Sequence, residues 1–180
     1  MTLEKFQRAA DLPATLATRW HACVSTVLDE FDITSRVRLV AFIAQTGHET
    51  LGFQLTHELW GPTPAQKLYE PPSDKARSLG NLRAGDGYRY RGRGLIQITG
   101  RTNYAACGAA LGVDLTATPE LLEHDNWAAR SAAWWWKEHG CNALADSGDF
   151  VALTRRINGG TNGLDDRIRR WEIAKTALAA

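Results

Sequence analysis

With 180 residues, 44% of them apolar and 23% charged, the chain is long enough for one domain with its own core, and its composition excludes a disordered or fibrous protein. Twenty-one Lys and Arg against 20 Asp and Glu leave a formal charge of +1, so no global charge favours nucleic acid or an anionic membrane as partner. Cys23, Cys107 and Cys141 are odd in number and far apart, which excludes a C-x-x-C metal or redox site and predicts three reduced thiols.

The N-terminus enters an amphipathic pattern directly, with no uninterrupted apolar stretch, so folding in the cytoplasm without stable membrane insertion is expected. Leu3 to Ala10 reads as a short helix. Pro13 fits the first turn of a longer one carrying Leu16, Trp20, Val24, Val27, Leu28 and Phe31 at helical spacing. Ser35 can cap a third helix through Val40, Phe42, Ile43 and Ala44, with Gly47 and Gly52 bracketing its end. Between Gly61 and Gly94, prolines and glycines interrupt any long element, though Ala65 to Tyr69 can form a helical turn. Tyr88 to Thr99 alternates partly, which leaves room for a small hairpin. Helices follow over Asn103–Leu111 and from Pro119, then one capped by Asp125 or Asn126 that stops at Gly140. Asp149 to Arg156 and Asp165 to Ala177 complete a mainly α chain.

The chemistry concentrates where the third helix ends, in Gln45-Thr46-Gly47-His48-Glu49-Thr50, with a second acid at Glu58. A carboxyl at a helix C-terminus faces the negative end of the macrodipole, which suits a group that must hold a proton. Continuous helix would put Glu49 and Glu58 roughly 13.5 Å apart along the axis and on opposite faces. A break near Gly52 lets the chain fold back and bring the second acid across a cleft. Two carboxyls roughly 6.5–9.5 Å apart are what an inverting glycosidase uses. The plainer alternative is two solvated acids flanking a turn. His48-Glu49 and His57-Glu58 each begin an H-E-x-x-H zinc motif, but Gly52 and Gly61 stand where the second histidines are needed, so no metal and no cofactor is expected.

Four spaced motifs carry a resemblance: His48-Glu49-Thr50, Glu58, Gly92-Arg93-Gly94-Leu95-Ile96-Gln97-Ile98-Thr99, and Ile157-Asn158-Gly159-Gly160. Together they resemble the family 19 glycoside hydrolases, the chitinase-like group, over roughly Val37 to the C-terminus. The stretch Glu58 to Gln66 looks most like phage and prophage endolysins of that family, which degrade peptidoglycan. The resemblance implies Glu49 as general acid, Glu58 as general base, and Thr99 in the place of a hydroxyl residue, usually Ser, that helps hold the attacking water. It also implies Gln97, Asn103, Asn158 and Arg167 as polar residues lining the sugar cleft. Amides both donate and accept, which suits a glycan. Arg167 follows Asp165 and Asp166, so it can pair with them or with the base; a cation beside Glu58 would favour its charged form and so divide the two acids' roles.

Other conspicuous features are weighed in that light. The Arg-Gly-Arg-Gly string with its tyrosines lacks a P-loop lysine and a basic surplus, so a cleft wall, with Tyr90 against a sugar face, is preferred to a nucleic-acid site. Trp134, Trp135 and Trp136 point about 100° apart on a helix and cannot form one platform. Trp60, nearer the acids, is the better stacking candidate. His48 either buttresses the acid or is a structural histidine.

The expected architecture is one lysozyme-like catalytic domain over residues 1–180: a helical body (1–52 and 95–180) and a smaller loop-rich lobe (about 53–94) around a glycan cleft. The expected activity is hydrolysis of β-1,4 bonds in peptidoglycan glycan strands, muramidase-type and inverting, by a monomer. A chitinase acting on N-acetylglucosamine polymers and a non-catalytic glycan-binding module are the alternatives. The resemblance further implies a lysin made in the host bacterial cytoplasm and released through a holin pore to reach the periplasmic wall.

Overall fold

The computed structural model describes residues 1–179, and nearly all of its regular structure is helical. Helix α1 (Leu3–Ala10) is capped by the Thr2 hydroxyl, and α2 (Ala14–Glu30) starts after Pro13, whose missing N–H costs nothing at a helix start. Helix α3 (Arg36–Glu49) is capped by Ser35 as predicted, the hydroxyl accepting from the Arg38 amide. Three short helices follow, α4 (Pro64–Lys67), α5 (Asp74–Ser78) and α6 (Asp86–Arg89), then α7 (Arg101–Leu111), which ends at Gly112 in the left-handed conformation. A 3-10 turn (Pro119–Glu123) leads to α8 (Asp125–Glu138), α9 (Cys141–Asp146), α10 (Phe150–Asn158) and α11 (Leu164–Ala177).

Helix α3 is buried on every side from Val40 to Gly47, so it is the axis of the core and not an amphipathic surface helix. Helix α11 packs along it, α1 packs on α11, and α2 packs on α8. Phe42 meets Trp136 edge to face at 5.3 Å, and Trp136 is fully buried. Trp134 and Trp135 pack partly against the core, so the three tryptophans form no platform.

The chain reverses just after Glu49. Leu51, Gly52 and Phe53 all have positive φ (52°, 76° and 60°), and the Gly52 amide donates to Gly47 O at 2.7 Å. Left-handed backbone at a residue with a Cβ costs roughly 1–2 kcal/mol. Phe53 offsets that cost by full burial against Phe6 and Trp20, whose indole N–H donates to Phe53 O at 2.9 Å. The break expected near Gly52 is thus a left-handed turn anchored by an aromatic side chain.

Two sequence expectations are corrected. The hairpin over 88–99 reduces to isolated bridges, His57 with Arg93 and Arg93 with Ile98. Residues 86–89 are helical instead, because the buried Asp86 carboxylate accepts from the Leu82 and Arg83 amides and pairs with Arg101 at 2.6 Å. Helix α8 has no side-chain cap: Asp125 lies in its first turn, paired with Arg19 at 2.6 Å. Cys23, Cys107 and Cys141 are all free thiols, and burial pushes Cys107 and Cys141 up to about 12.

Candidate active site

Glu49 is the last residue of α3 and is 20% exposed at its side chain. Its Oε1 accepts from Arg167 Nη2 at 2.5 Å. The guanidinium is 1% exposed and is fixed at two further points, Nη1 to Gln45 Oε1 and Nε to Asn162 O at 3.1 Å, while Gln45 Nε2 in turn donates to Thr154 Oγ1 at 2.8 Å. Gln45 is one helical turn before Glu49, so one planar fork reaches both. The neighbouring residues pair too: His48 Nδ1 lies 2.8 Å from Asp166 Oδ2, which also accepts from Arg170 Nε at 2.8 Å. Burial opposes the charge on Asp166, but hydrogen bonds from Arg170, His48 and Arg169 outweigh it and hold the carboxyl well below the usual range. His48 is therefore the structural histidine of the two alternatives, hydrogen-bonded to Asp166.

This corrects one expectation. Arg167 faces neither Asp165, Asp166 nor Glu58; helix α11 lies along α3, so the arginine's fork reaches the helix end that carries Glu49. The contact engages Oε1 of Glu49, and Oε2 makes no hydrogen bond among the described residues.

Glu58 lies beyond the reversal, where residues 56–58 pair with 92–94. Its amide donates to Gly92 O at 2.8 Å, the Gly92 amide donates back to Glu58 Oε2 at 3.2 Å, and the Gly94 amide donates to Thr56 O at 2.8 Å. Burial and then the charge of Glu58 push the Tyr69 phenol above its ordinary value, so Tyr69 stands beside this acid. Gly92 also admits Gln97: a Cβ at residue 92 would sit 2.4 Å from Gln97 Oε1. The structure thus gathers Glu58, Gly92 and Gln97 at one place.

Trp60 is partly exposed and sits among aromatic rings, 5.6 Å from Tyr88 and 6.2 Å from Tyr69. Tyr90 does not present a ring to a ligand. It is 1% exposed, packs on Tyr104 at 5.4 Å and donates its hydroxyl to Thr116 O at 3.0 Å. Tyr88, passed over in the sequence, is 52% exposed beside Trp60, with the Arg91 guanidinium 4.4 Å from its ring centre. The reason is the α6 helix, which replaces a strand's two-residue alternation with a helical one and turns Tyr90 inward.

Thr99 is half-buried, its carbonyl accepting from Asn103 Nδ2 at 2.7 Å, and Asn158 is exposed at the end of α10. No hydrogen bond joins the side chains of Thr99, Asn103 or Asn158 to either acid. The arginines of the Arg-Gly-Arg-Gly string are structural. Arg93 is 1% exposed, donating Nε to Glu123 Oε1 at 2.6 Å and Nη1 to Tyr104 Oη at 3.0 Å. Glu123 went unnoticed in the sequence because its partners are distant along the chain. One cavity, about 240 Å³ between α3, α9, α10 and α11, is lined mostly by apolar residues such as Val40, Phe150 and Trp171, and neither acid lines it.

The family model described as chitinase class I, glycoside hydrolase family 19, matches residues 15–174. The chain belongs to glycoside hydrolase family 19. It is a glycoside hydrolase, and the match begins well before Val37, so α2 is part of the family domain. A Haemophilus influenzae protein named as a family 19 domain-containing protein is 34% identical over 174 residues, covering 84% of this chain and 85% of that protein. Endochitinase 2 of Gossypium hirsutum is 38% identical over 108 residues, 57% of this chain but 36% of the plant enzyme. The chain thus matches about a third of such plant endochitinases. Chitinase C of Streptomyces griseus superposes with a TM-score of 0.73 at 23% identity, over 99% of this chain and 76% of that one. A bacterial family 19 chitinase gives 0.70 at 22% identity, over 99% and 95%. These likenesses establish the mainly helical, lysozyme-like fold.

Proposed function

We propose that this glycoside hydrolase cuts the β-1,4-linked glycan strands of bacterial peptidoglycan, with Glu49 as general acid and Glu58 as general base. The observation that carries the reading is the pair of differently held acids, one oxygen of Glu49 fixed by Arg167 and one oxygen of Glu58 fixed by the Gly92 amide. Each retains one unengaged oxygen. In an inverting displacement, Glu49 Oε2 delivers its proton to the departing glycosidic oxygen while Glu58 takes a proton from water attacking the anomeric carbon. Thr99 holds that water with its hydroxyl, Gln97, Asn103 and Asn158 meet the sugar's polar groups, and Trp60 with Tyr88 stacks on a sugar face.

The likeness of the stretch Glu58 to Gln66 to phage and prophage endolysins of the family supports a bacterial wall substrate. Three free thiols fit folding in a reducing compartment, as in a phage lysin released through a holin pore and acting as a monomer. The names of the plant and Streptomyces relatives favour a second reading, hydrolysis of chitin.

Mass spectrometry of fragments from purified peptidoglycan, with the hexamer of N-acetylglucosamine digested in parallel, separates them. Fragments ending in reducing muramic acid are expected. Reducing N-acetylglucosamine ends on the peptidoglycan fragments would instead mean the other linkage is cut. Cleavage of the hexamer with intact peptidoglycan would replace this reading with the chitinase one.

A further inference from the structure

Glu123 ends the 3-10 turn, far from Glu58 in sequence, yet its carboxylate meets basic side chains from both sides of the pairing that holds Glu58. His57 Nδ1 lies 3.4 Å from Oε2, while Arg93 Nε and Arg91 Nη2 donate to Oε1 at 2.6 and 3.2 Å. His57 and Arg93 are opposite each other across the pairing, and each is the immediate chain neighbour of one partner in the Glu58–Gly92 contact. We propose that Glu123 is a positioning residue for Glu58: it clamps His57 to Arg91 and Arg93, and thereby fixes the Gly92 amide that aims the carboxylate.

Neutralising the buried Arg93 does not by itself account for the arrangement. A carboxylate with only that role needs no contact with Arg91 or His57, both nearer the surface. His57 Nδ1 is buried without a hydrogen-bond partner, so the charge of Glu123 is the group it faces. Burial raises the Glu123 carboxyl, but the hydrogen bond and charge of Arg93, with Arg91 beside it, outweigh this and hold it below the usual carboxylate range. Through Arg91 the clamp continues to the Tyr88 ring and so to Trp60, ordering the base and the neighbouring aromatic surface together.

The proposal rests on the reading of Glu58 as base, and a double-mutant cycle separates the two. Turnover at saturating purified peptidoglycan, and at the saturating N-acetylglucosamine hexamer in parallel, is read for Glu123→Gln, His57→Gln, Glu58→Gln and the two doubles with Glu58→Gln. Displacing a reacting group by about 1 Å costs on the order of a hundredfold, so a loosened clamp is expected to cost about tenfold for Glu123→Gln and about threefold for His57→Gln, with KM within about twofold. In the Glu58→Gln background neither should lower the residual turnover further. Additive losses in the doubles, or wild-type turnover in both singles, overturn the proposal; full turnover in Glu58→Gln alone overturns the base reading beneath it. Circular dichroism and thermal melts identify the folded variants. Should Glu123→Gln not fold, His57→Gln, which leaves the Arg93–Glu123 pair intact, decides the matter.

Discussion

Arg167 Nη2 stands 2.5 Å from Glu49 Oε1, and the residue before each of them pairs with the residue before the other, His48 with Asp166. Consecutive positions of α3 thus bind consecutive positions of α11, and the acid's placement depends on the register between two helices. A lysine at 167 has no planar fork to serve Gln45 and Glu49 together. Arg167→Lys is expected to lower turnover by roughly 10- to 100-fold while the protein stays folded. Turnover within twofold of wild type would show that the contact does not position the acid.

Gly163 precedes α11 with φ at +70°, and a Cβ there would lie 2.2 Å from His48 Cε1. Gly163→Ala therefore combines backbone strain with displacement of the imidazole from Asp166. A loss of about 2–3 kcal/mol in chemical denaturation is expected, together with reduced turnover. Unchanged stability would mean that His48 moves without consequence.

Tyr88 and Tyr90 differ in what they are exposed to. Tyr88→Ala is expected to raise KM several-fold with little change in melting temperature, since about 0.5–1.5 kcal/mol is typical of an aromatic contact beyond its buried area. Tyr90→Phe removes a buried hydroxyl that donates to Thr116 O and accepts from Arg89 Nε, and should cost about 1–2 kcal/mol of stability at wild-type KM. The reverse pattern would restore Tyr90 to the site.

Asp86 and Asp166 are among the carboxyls that the fold holds below their ordinary values. For Asp86, burial raises the carboxyl, but Arg101 and the Arg83 and Leu82 amides outweigh it, so the folded value lies below the unfolded one. A depressed value contributes stability that is complete above about pH 4, where the unfolded carboxyl is already charged, and is lost as pH falls towards the folded value. Melting temperature should drop on acidification below about pH 4, and less steeply in Asp86→Asn, which should itself cost about 2 kcal/mol near neutrality. Equal acid dependence in both proteins would contradict this.

The parts legible in the sequence are those set by neighbours along the chain. Ser35 marks the start of α3 and Gly52 its reversal because caps and left-handed glycines act within a few residues. Gly112 closes α7 for the same reason. Partners of Arg167 and Glu123 were not legible, since ion pairs between distant segments leave no spacing to read. Tyr90 was misread because Tyr88 to Arg91 alternates like a strand, whereas Asp86, bonded to Arg101 from the next helix, draws the segment into a helical turn. Helix α9, only six residues between Gly140 and Ser147, is too short for its periodicity to register.

The central claim is that Glu49 is the proton donor for glycosidic cleavage. Its most direct test is the release of new reducing ends from purified peptidoglycan by wild type and by Glu49→Gln, both shown to be folded. Glutamine keeps the acceptor for Arg167 and removes the transferable proton, so a loss of at least roughly a hundredfold at unchanged melting temperature is expected. Release at the wild-type rate by Glu49→Gln would contradict it.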